Sequence, residues 1–111
     1  SMKKFDRIFV LNKSSKKIYT PNFIIQKLES KKNDNKPHFG FTITKKIGSA
    51  IVRNKIKRRL KSIIRELLKY KDKYFDLSFN YILICKKEIV KVSYDELENE
   101  LMDKFKSNRT N

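Results

Sequence analysis

The sequence predicts a single α+β domain, a small sandwich of one sheet with helices in the order α-β-β-α-β-α. Three observations lead to this prediction. One long segment has the apolar spacing of an amphipathic helix, three shorter segments have the composition of strands, and a second capped helix follows the last strand. A chain of 111 residues is long enough for one domain with one modest core.

The first part of the chain is predicted to contain a short helix and two strands. Phe5, Ile8 and Phe9 have the i, i+3, i+4 spacing of a helix face. Thr20-Pro21 then marks a boundary between segments. The expected order after the helix is polar loop, strand, polar loop and strand, over residues 12–17, 22–28, 29–36 and 39–43.

The longest predicted element is a helix between Ser49 and Tyr70, a span without proline or glycine. Ser49 is the expected N-cap, because its hydroxyl can accept a hydrogen bond from a backbone N–H of the first turn. Apolar residues recur every three or four positions and form one stripe about 80° wide. The stripe consists of Val52, Ile56, Leu60, Ile63, Leu67 and Tyr70.

A basic sector about 140° wide lies beside this stripe, interrupted by Ile64 and Leu68. Residues 45–73 hold twelve Lys or Arg and two acids, whereas a solvated helix usually mixes opposite charges at i, i+4. Cations near a helix N-terminus also oppose its positive dipole. A polyanion would relieve this repulsion, so the segment is predicted to bind phosphates. The sector consists of Arg53, Asn54, Lys57, Arg58, Lys61 and Arg65.

The last third of the chain is predicted to contain a buried strand and a helix. Residues 81–85 form a continuous apolar run, which is typical of a strand covered on both faces. Ser93 and Glu96 form a capping box that begins the helix. Its expected apolar face consists of Tyr94, Leu97, Leu101 and Phe105, and residues 107–111 are expected to fray.

Composition narrows the possible functions. A formal net charge of +16 and a pI of about 10.0 indicate an anionic partner, with nucleic acid ahead of an anionic membrane surface. No apolar run approaches the roughly 20 residues of a membrane span, and no signal peptide is visible. The single Cys85 cannot form an internal disulfide, which fits a reducing environment. We therefore expect a cytoplasmic protein.

The sequence offers no recognisable catalytic constellation. His38 stands alone, Cys85 lies in the apolar run, and there is neither a phosphate-binding glycine loop with lysine nor a serine triad context. Catalysis by the protein alone and a metal site on the protein are therefore not expected. For the same reason the acids Glu66, Asp72 and Asp76 are expected to be individually dispensable for turnover.

Several segments resemble the protein subunit of bacterial ribonuclease P. They are residues 39–43, residues 45–50, the Arg-Asn-x-x-Lys-Arg pattern at 53–58, and the final strand and capped helix. The resemblance covers roughly residues 2–106, with 107–111 as a tail. It implies a left-handed β-α-β crossover around the basic helix, against the usual right-handed rule.

The resemblance also implies a function. Such a subunit binds a large catalytic RNA and the single-stranded 5′ leader of precursor tRNA, and supports endonucleolytic removal of that leader. The RNA subunit and the substrate, not the protein, would hold Mg²⁺, and one protein would bind one RNA without any membrane. The alternatives are a plain RNA-binding module, such as a small ribosomal protein, and a freestanding nuclease, which the lack of metal ligands opposes.

Two groups of site residues follow from the basic sector and the resemblance together. Phe5 and Phe9 match an aromatic pair that lines the leader cleft with the inner face of the sheet. Lys55 and Lys61 stand where the family commonly has Arg, so bidentate phosphate contacts are not expected from them. The predicted RNA-binding residues are Lys45, Lys46, Arg53, Asn54, Lys57, Arg58, Lys61 and Arg65.

Overall fold

The computed structural model describes residues 15–32 and 34–110. Along the chain these residues form β1 (Ser15–Tyr19), β2 (Phe23–Glu29), β3 (Phe39–Thr42), α1 (Ala50–Leu68), α2 (Lys71–Tyr74), β4 (Phe79–Cys85) and α3 (Tyr94–Ser107). Two short 3-10 turns, Lys45–Ile47 and Lys87–Lys91, precede α1 and α3. The predicted helix around Phe5, Ile8 and Phe9 lies outside the described residues. No helix in the described part is long and apolar enough to cross a membrane.

The strands form one mixed sheet in the order β1-β2-β4-β3. The β1–β2 and β2–β4 pairs are antiparallel, whereas β3 and β4 are parallel. Parallel neighbours need a crossover connection, and here α1 and α2 supply it. The predicted α+β sandwich is therefore confirmed, and the hand of the crossover stays an implication of the resemblance.

Strand β1 corrects the prediction of a polar loop over residues 12–17. Only Ile18 of this strand is buried, so the segment lacks the alternating apolar pattern that signals a strand. Pairing with β2 along one edge of the sheet holds it in place, with Ile18 opposite Ile25. The turn between them is fixed by Thr20, whose hydroxyl donates to the carbonyl of Phe23 and accepts from its backbone N–H.

Helix α1 packs on the sheet through a face that differs slightly from the predicted stripe. Ser49 caps the helix as expected, accepting a hydrogen bond from the N–H of Val52 at 3.3 Å. Ile64 is buried although it falls within the basic sector, while Tyr70 is 63% exposed because the helix ends at Leu68. The buried residues of α1 are Ile56, Leu60, Ile63, Ile64 and Leu67.

The predicted buried strand and capped helix are both confirmed. In β4, Tyr81 and Leu83 belong to the main core between the sheet and the helices, and Ile82 packs with Leu28 in a smaller cluster. Ser93 accepts a hydrogen bond from the N–H of Glu96 and so caps α3. The ring centroids of Phe75 and Phe105 lie 4.8 Å apart, and both rings belong to the main core.

The chain end is bound rather than frayed, which corrects the prediction for residues 107–111 as far as the described residues reach. Ser107 is still helical, and the carbonyl of Asn108 accepts a hydrogen bond from Nζ of Lys27. The backbone N–H and the hydroxyl of Thr110 both donate to Oδ2 of Asp76 at 3.0 Å. Backbone groups of Asn108 and Thr110 and the Thr110 hydroxyl thus pair with buried side chains far away in the sequence, which a local sequence pattern cannot indicate.

These contacts surround a buried ion pair between Lys27 and Asp76, whose side chains are 2% and 3% exposed. Burial pushes the pKa of Asp76 up, but hydrogen bonds from Lys27 and Thr110 outweigh it and hold the pKa below its ordinary value. Nζ of Lys27 also lies 4.4 Å from the centre of the Phe79 ring. Asp76 therefore stabilises the fold. The sequence had indicated only that Asp76 is dispensable for turnover, and it gave no sign of this structural role.

Replacing Asp76 with Asn should lower the free energy of unfolding by about 3–5 kcal/mol, because it leaves the buried charge of Lys27 without a counter-ion. Urea unfolding measures this loss. Glu66→Gln is the matched control, since Glu66 pairs with Lys69 on the surface and should cost less than about 1 kcal/mol. Equal effects of the two substitutions would contradict the structural role of Asp76.

The same pair predicts a pH dependence. Because the pKa of Asp76 is lowered in the folded state, its stabilisation is complete above the unfolded pKa of about 4 and is lost as the pH falls through the folded pKa. Wild-type protein should therefore lose stability more steeply than Asp76→Asn as the pH falls below about 4. Parallel acid-unfolding curves would contradict the assignment.

Candidate nucleic-acid interface

A tight turn joins β3 to α1 and sets where the basic helix begins. Gly48 has a φ of 157°, and a Cβ added there would lie 3.1 Å from Cγ1 of Val52, so a larger residue would crowd the first turn. The carbonyl of Gly48 accepts a hydrogen bond from Nε of Arg53 at 3.2 Å. This contact fixes the Arg53 side chain along the start of the helix.

The structure keeps the predicted basic residues accessible. Lys45 and Lys46 are exposed on the turn before the helix, and Arg53 and Lys57 are partly buried at the border between α1 and the sheet. The fully exposed members on the helix are Asn54, Arg58, Lys61 and Arg65. The eight predicted residues therefore form one continuous surface, called here the basic face.

A cleft of about 190 Å³ lies between β3 and the basic face. Phe41 and Ile43 line it from the sheet side. Arg53, Asn54 and Lys57 line it from the helix. The cleft thus combines an apolar wall with two cations and one amide, a set that suits an unpaired nucleotide with its base and its phosphate.

The cations of the basic face have no acidic partner among the described residues. The ion pairs among the described residues join Lys27 to Asp76, His38 to Asp34 and Lys69 to Glu66. None of these residues belongs to the basic face. Protein charges that are neither paired nor buried remain available to an external anion. The basic face is therefore complementary to a polyanion over its whole length.

Sequence reasoning named the helical residues of the cleft, and the resemblance implied that the inner face of the sheet completes it without naming the residues there. Phe41 and Ile43 were expected to be strand residues, but no sequence spacing placed them beside Lys57, more than ten positions away. Their closeness follows from the crossover, which lays α1 along β3. The other predicted cleft residues, Phe5 and Phe9, lie outside the described residues, so their role stays a prediction.

Comparison with known proteins identifies the family. The family model described as Ribonuclease P matches residues 1–108. The chain belongs to the ribonuclease P protein family. Its curated relatives include the ribonuclease P protein component of Bacillus mycoides, 38% identical over 86 residues, which are 76% of this chain and 69% of the relative. The component of Finegoldia magna is 37% identical over 93 residues, 84% of this chain and 76% of the relative.

Solved structures of ribonuclease P proteins share the fold. The protein from Thermotoga maritima superposes with a TM-score of 0.79 at 21% identity, covering 96% of this chain and 98% of that one. The protein from Staphylococcus aureus superposes with a TM-score of 0.67 at 26% identity, covering 91% and 84% of the two chains. The predicted membership of the ribonuclease P family is confirmed.

If the basic face binds phosphates, single substitutions should change the salt dependence of RNA binding. Lys57→Gln or Arg58→Gln should flatten the plot of log K against log salt by about one unit, since each phosphate contact contributes about 0.7–0.9. Both variants keep most of the side-chain stem and should melt like wild type. A ribonuclease P RNA titrated at several salt concentrations provides the measurement.

Lys106→Gln is the matched control, because Lys106 is exposed on α3, outside the basic face. It should leave the slope unchanged. A large loss of folding stability in Lys57→Gln or Arg58→Gln, together with an unchanged slope, would assign these residues to the fold instead.

Proposed function

We propose that this ribonuclease P protein component binds both the catalytic RNA of its particle and the single-stranded 5′ leader of precursor tRNA. Through these two contacts it supports endonucleolytic removal of the leader, which creates the mature 5′ end. Family membership supports participation in a ribonuclease P particle and partnership with its RNA subunit. The finer assignment of surfaces to the two RNAs is our proposal, with one protein per RNA in the cytoplasm.

The observation that carries the proposal is the basic face beside the cleft. Cations without acidic partners cover the exposed side of α1 and the turn before it. Helical RNA presents a regular array of phosphates, which such a surface can neutralise without reading sequence. The exposed residues Arg58, Lys61 and Arg65 are suited to this contact, because their side chains extend away from the sheet.

The cleft suits a different ligand, a single strand. Its apolar wall of Phe41 and Ile43 offers contact to a base, while Asn54 and Lys57 can hold the sugar-phosphate backbone. Every base has a π-face, so this mode tolerates leaders of varied sequence. We propose that Phe5 and Phe9 add stacking contacts to the same strand.

Chemistry is assigned to the RNA partner. Within residues 15–32 and 34–110, no group of three or more His, Cys, Asp or Glu could hold a metal ion. We propose that the RNA subunit and the substrate, rather than a dedicated protein site, hold the Mg²⁺. The protein's own contribution is binding energy and orientation of the scissile region against the catalytic RNA.

A reconstitution assay tests this division. Precursor tRNA is incubated with the cognate RNA subunit, with the protein freed of host RNA, and with both, and the 5′ ends of the products are mapped. The combination should cleave at the mature 5′ end faster than the RNA alone, and the protein alone should not cleave. Cleavage at that position by the purified protein alone would refute the proposal.

A second assay tests the leader cleft. Alanine at Phe5 or Phe9 should weaken binding of precursor tRNA by about 5- to 150-fold, because a stacked base contributes about 1–3 kcal/mol. Binding of mature tRNA, which lacks the leader, should not change. Tyr70→Ala is the matched control, since this ring is 63% exposed and lies outside the cleft. Equal weakening for both RNAs, or a core-sized stability loss of about 3–5 kcal/mol, would make the rings structural.

A further inference from the structure

A second, apolar pocket lies on the other flank of α1. It encloses about 100 Å³ between the first half of α1, the turn Lys87–Lys91 and α3. Its walls are aliphatic, and Val90 at its edge is 45% exposed. The aliphatic residues that line the pocket are Val52, Ile56, Ile89, Val90 and Leu97.

Two cations complete the lining of this pocket. Lys55 is exposed, and Arg59 is partly buried, with Nη1 donating to the carbonyl of Val92 at 3.4 Å. Neither forms an ion pair with an acid in the described part of the chain. Ile51, one turn before Lys55, is 82% exposed. An aliphatic pocket whose lining also includes two cations without acidic partners is complementary to a group that has an apolar face and an adjacent anion.

We propose that this pocket receives one unpaired base of the RNA partner, with Lys55 and Arg59 contacting the flanking phosphates. The inference rests on the proposed function, because it takes the RNA subunit as the partner of α1. It adds a second contact to that interface. The basic face and cleft lie on one side of the helix, whereas Lys55 is about 160° away from Lys57 around the helix axis.

The size and charge of the pocket favour a base over a protein segment. The pocket measures about 100 Å³, less than the roughly 150 Å³ of an aliphatic cavity that holds a whole benzene molecule, so it can take only part of one ring, with the rest of the base in its open mouth. A docked amphipathic helix needs a groove with several successive anchor positions, which this pocket is too short to provide. Cations at the edge also favour a phosphodiester chain, whose unpaired bases can be splayed out of a helix.

Val90→Asn tests the proposal because Val90 contributes apolar surface at an exposed position and its replacement should not disturb folding. Affinity for the cognate RNA subunit should fall about tenfold, within the range for one lost base contact. The salt slope should stay unchanged, since no phosphate contact is removed. Lys55→Gln should instead flatten the slope by about one unit. Tyr19→Asn, which polarises another exposed side chain outside the pocket, should bind like wild type.

Photocrosslinking then identifies the occupant. With p-benzoylphenylalanine in place of Val90, ultraviolet light should link the protein to one unpaired nucleotide of the RNA subunit. An abasic site at that nucleotide should weaken binding of wild type but not of Val90→Asn, because both changes remove the same contact.

Unchanged affinity of Val90→Asn, or crosslinks to a second copy of this chain in place of RNA, would overturn the pocket assignment. Such a result would leave unaffected the predictions for cleavage by the reconstituted particle and for the salt slopes of the basic face. If wild-type protein failed to bind the RNA subunit at all, the proposed function would fail and the pocket assignment with it.

Discussion

Repulsion among the cations of α1 is the constraint on which the rest of the structure depends. Four like-charged pairs stand at i, i+4 along the helix, and such pairs together cost on the order of 1–2 kcal/mol in an isolated helix. Five aliphatic side chains of the same helix are buried, and each contributes about 1.5–3 kcal/mol. Burial therefore exceeds repulsion several-fold, so the sheet can hold a helix whose exposed side carries many like charges.

Several contacts hold α1 against the rest of the fold. The crossover that contains α1 connects the two parallel strands β3 and β4. Arg59 donates a hydrogen bond to the carbonyl of Val92, and the hydroxyls of Ser62 and Tyr94 are hydrogen-bonded, so α1 is joined to the start of α3. The buried pair Lys27–Asp76 holds Asn108 and Thr110 through hydrogen bonds. A cation array can present fixed geometry to RNA only if its own helix does not shift when phosphates bind.

Much of the fold could be predicted from sequence because its signals are local. The apolar spacing of α1, the cap at Ser49 and the capping box at Ser93 each involve residues within a few positions of one another. Strand β1 was missed because its stability comes from pairing with β2, and the bound chain end was missed because Thr110 meets Asp76 across 34 positions. The burial of Ile64 was not predicted, because a helical wheel shows only the periodicity of one helix. Which neighbour covers a given side chain is decided by the tertiary fold.

The candidate site, too, has one part that the sequence predicts and another that only the fold reveals. Charge density on α1 is a property of the sequence itself, so the basic face could be located before its geometry was known. The cleft and the aliphatic pocket are made by elements that meet only in the fold, β3 with α1 on one flank and the turn Lys87–Lys91 with α3 on the other. One helix thereby borders two recesses, a cleft of mixed polar and apolar lining and an aliphatic pocket, with exposed cations between them. Phosphate attraction alone cannot choose between two RNAs. Recesses that receive unpaired bases, as we propose for both of these, would provide that choice, because a base paired within a helix cannot enter them.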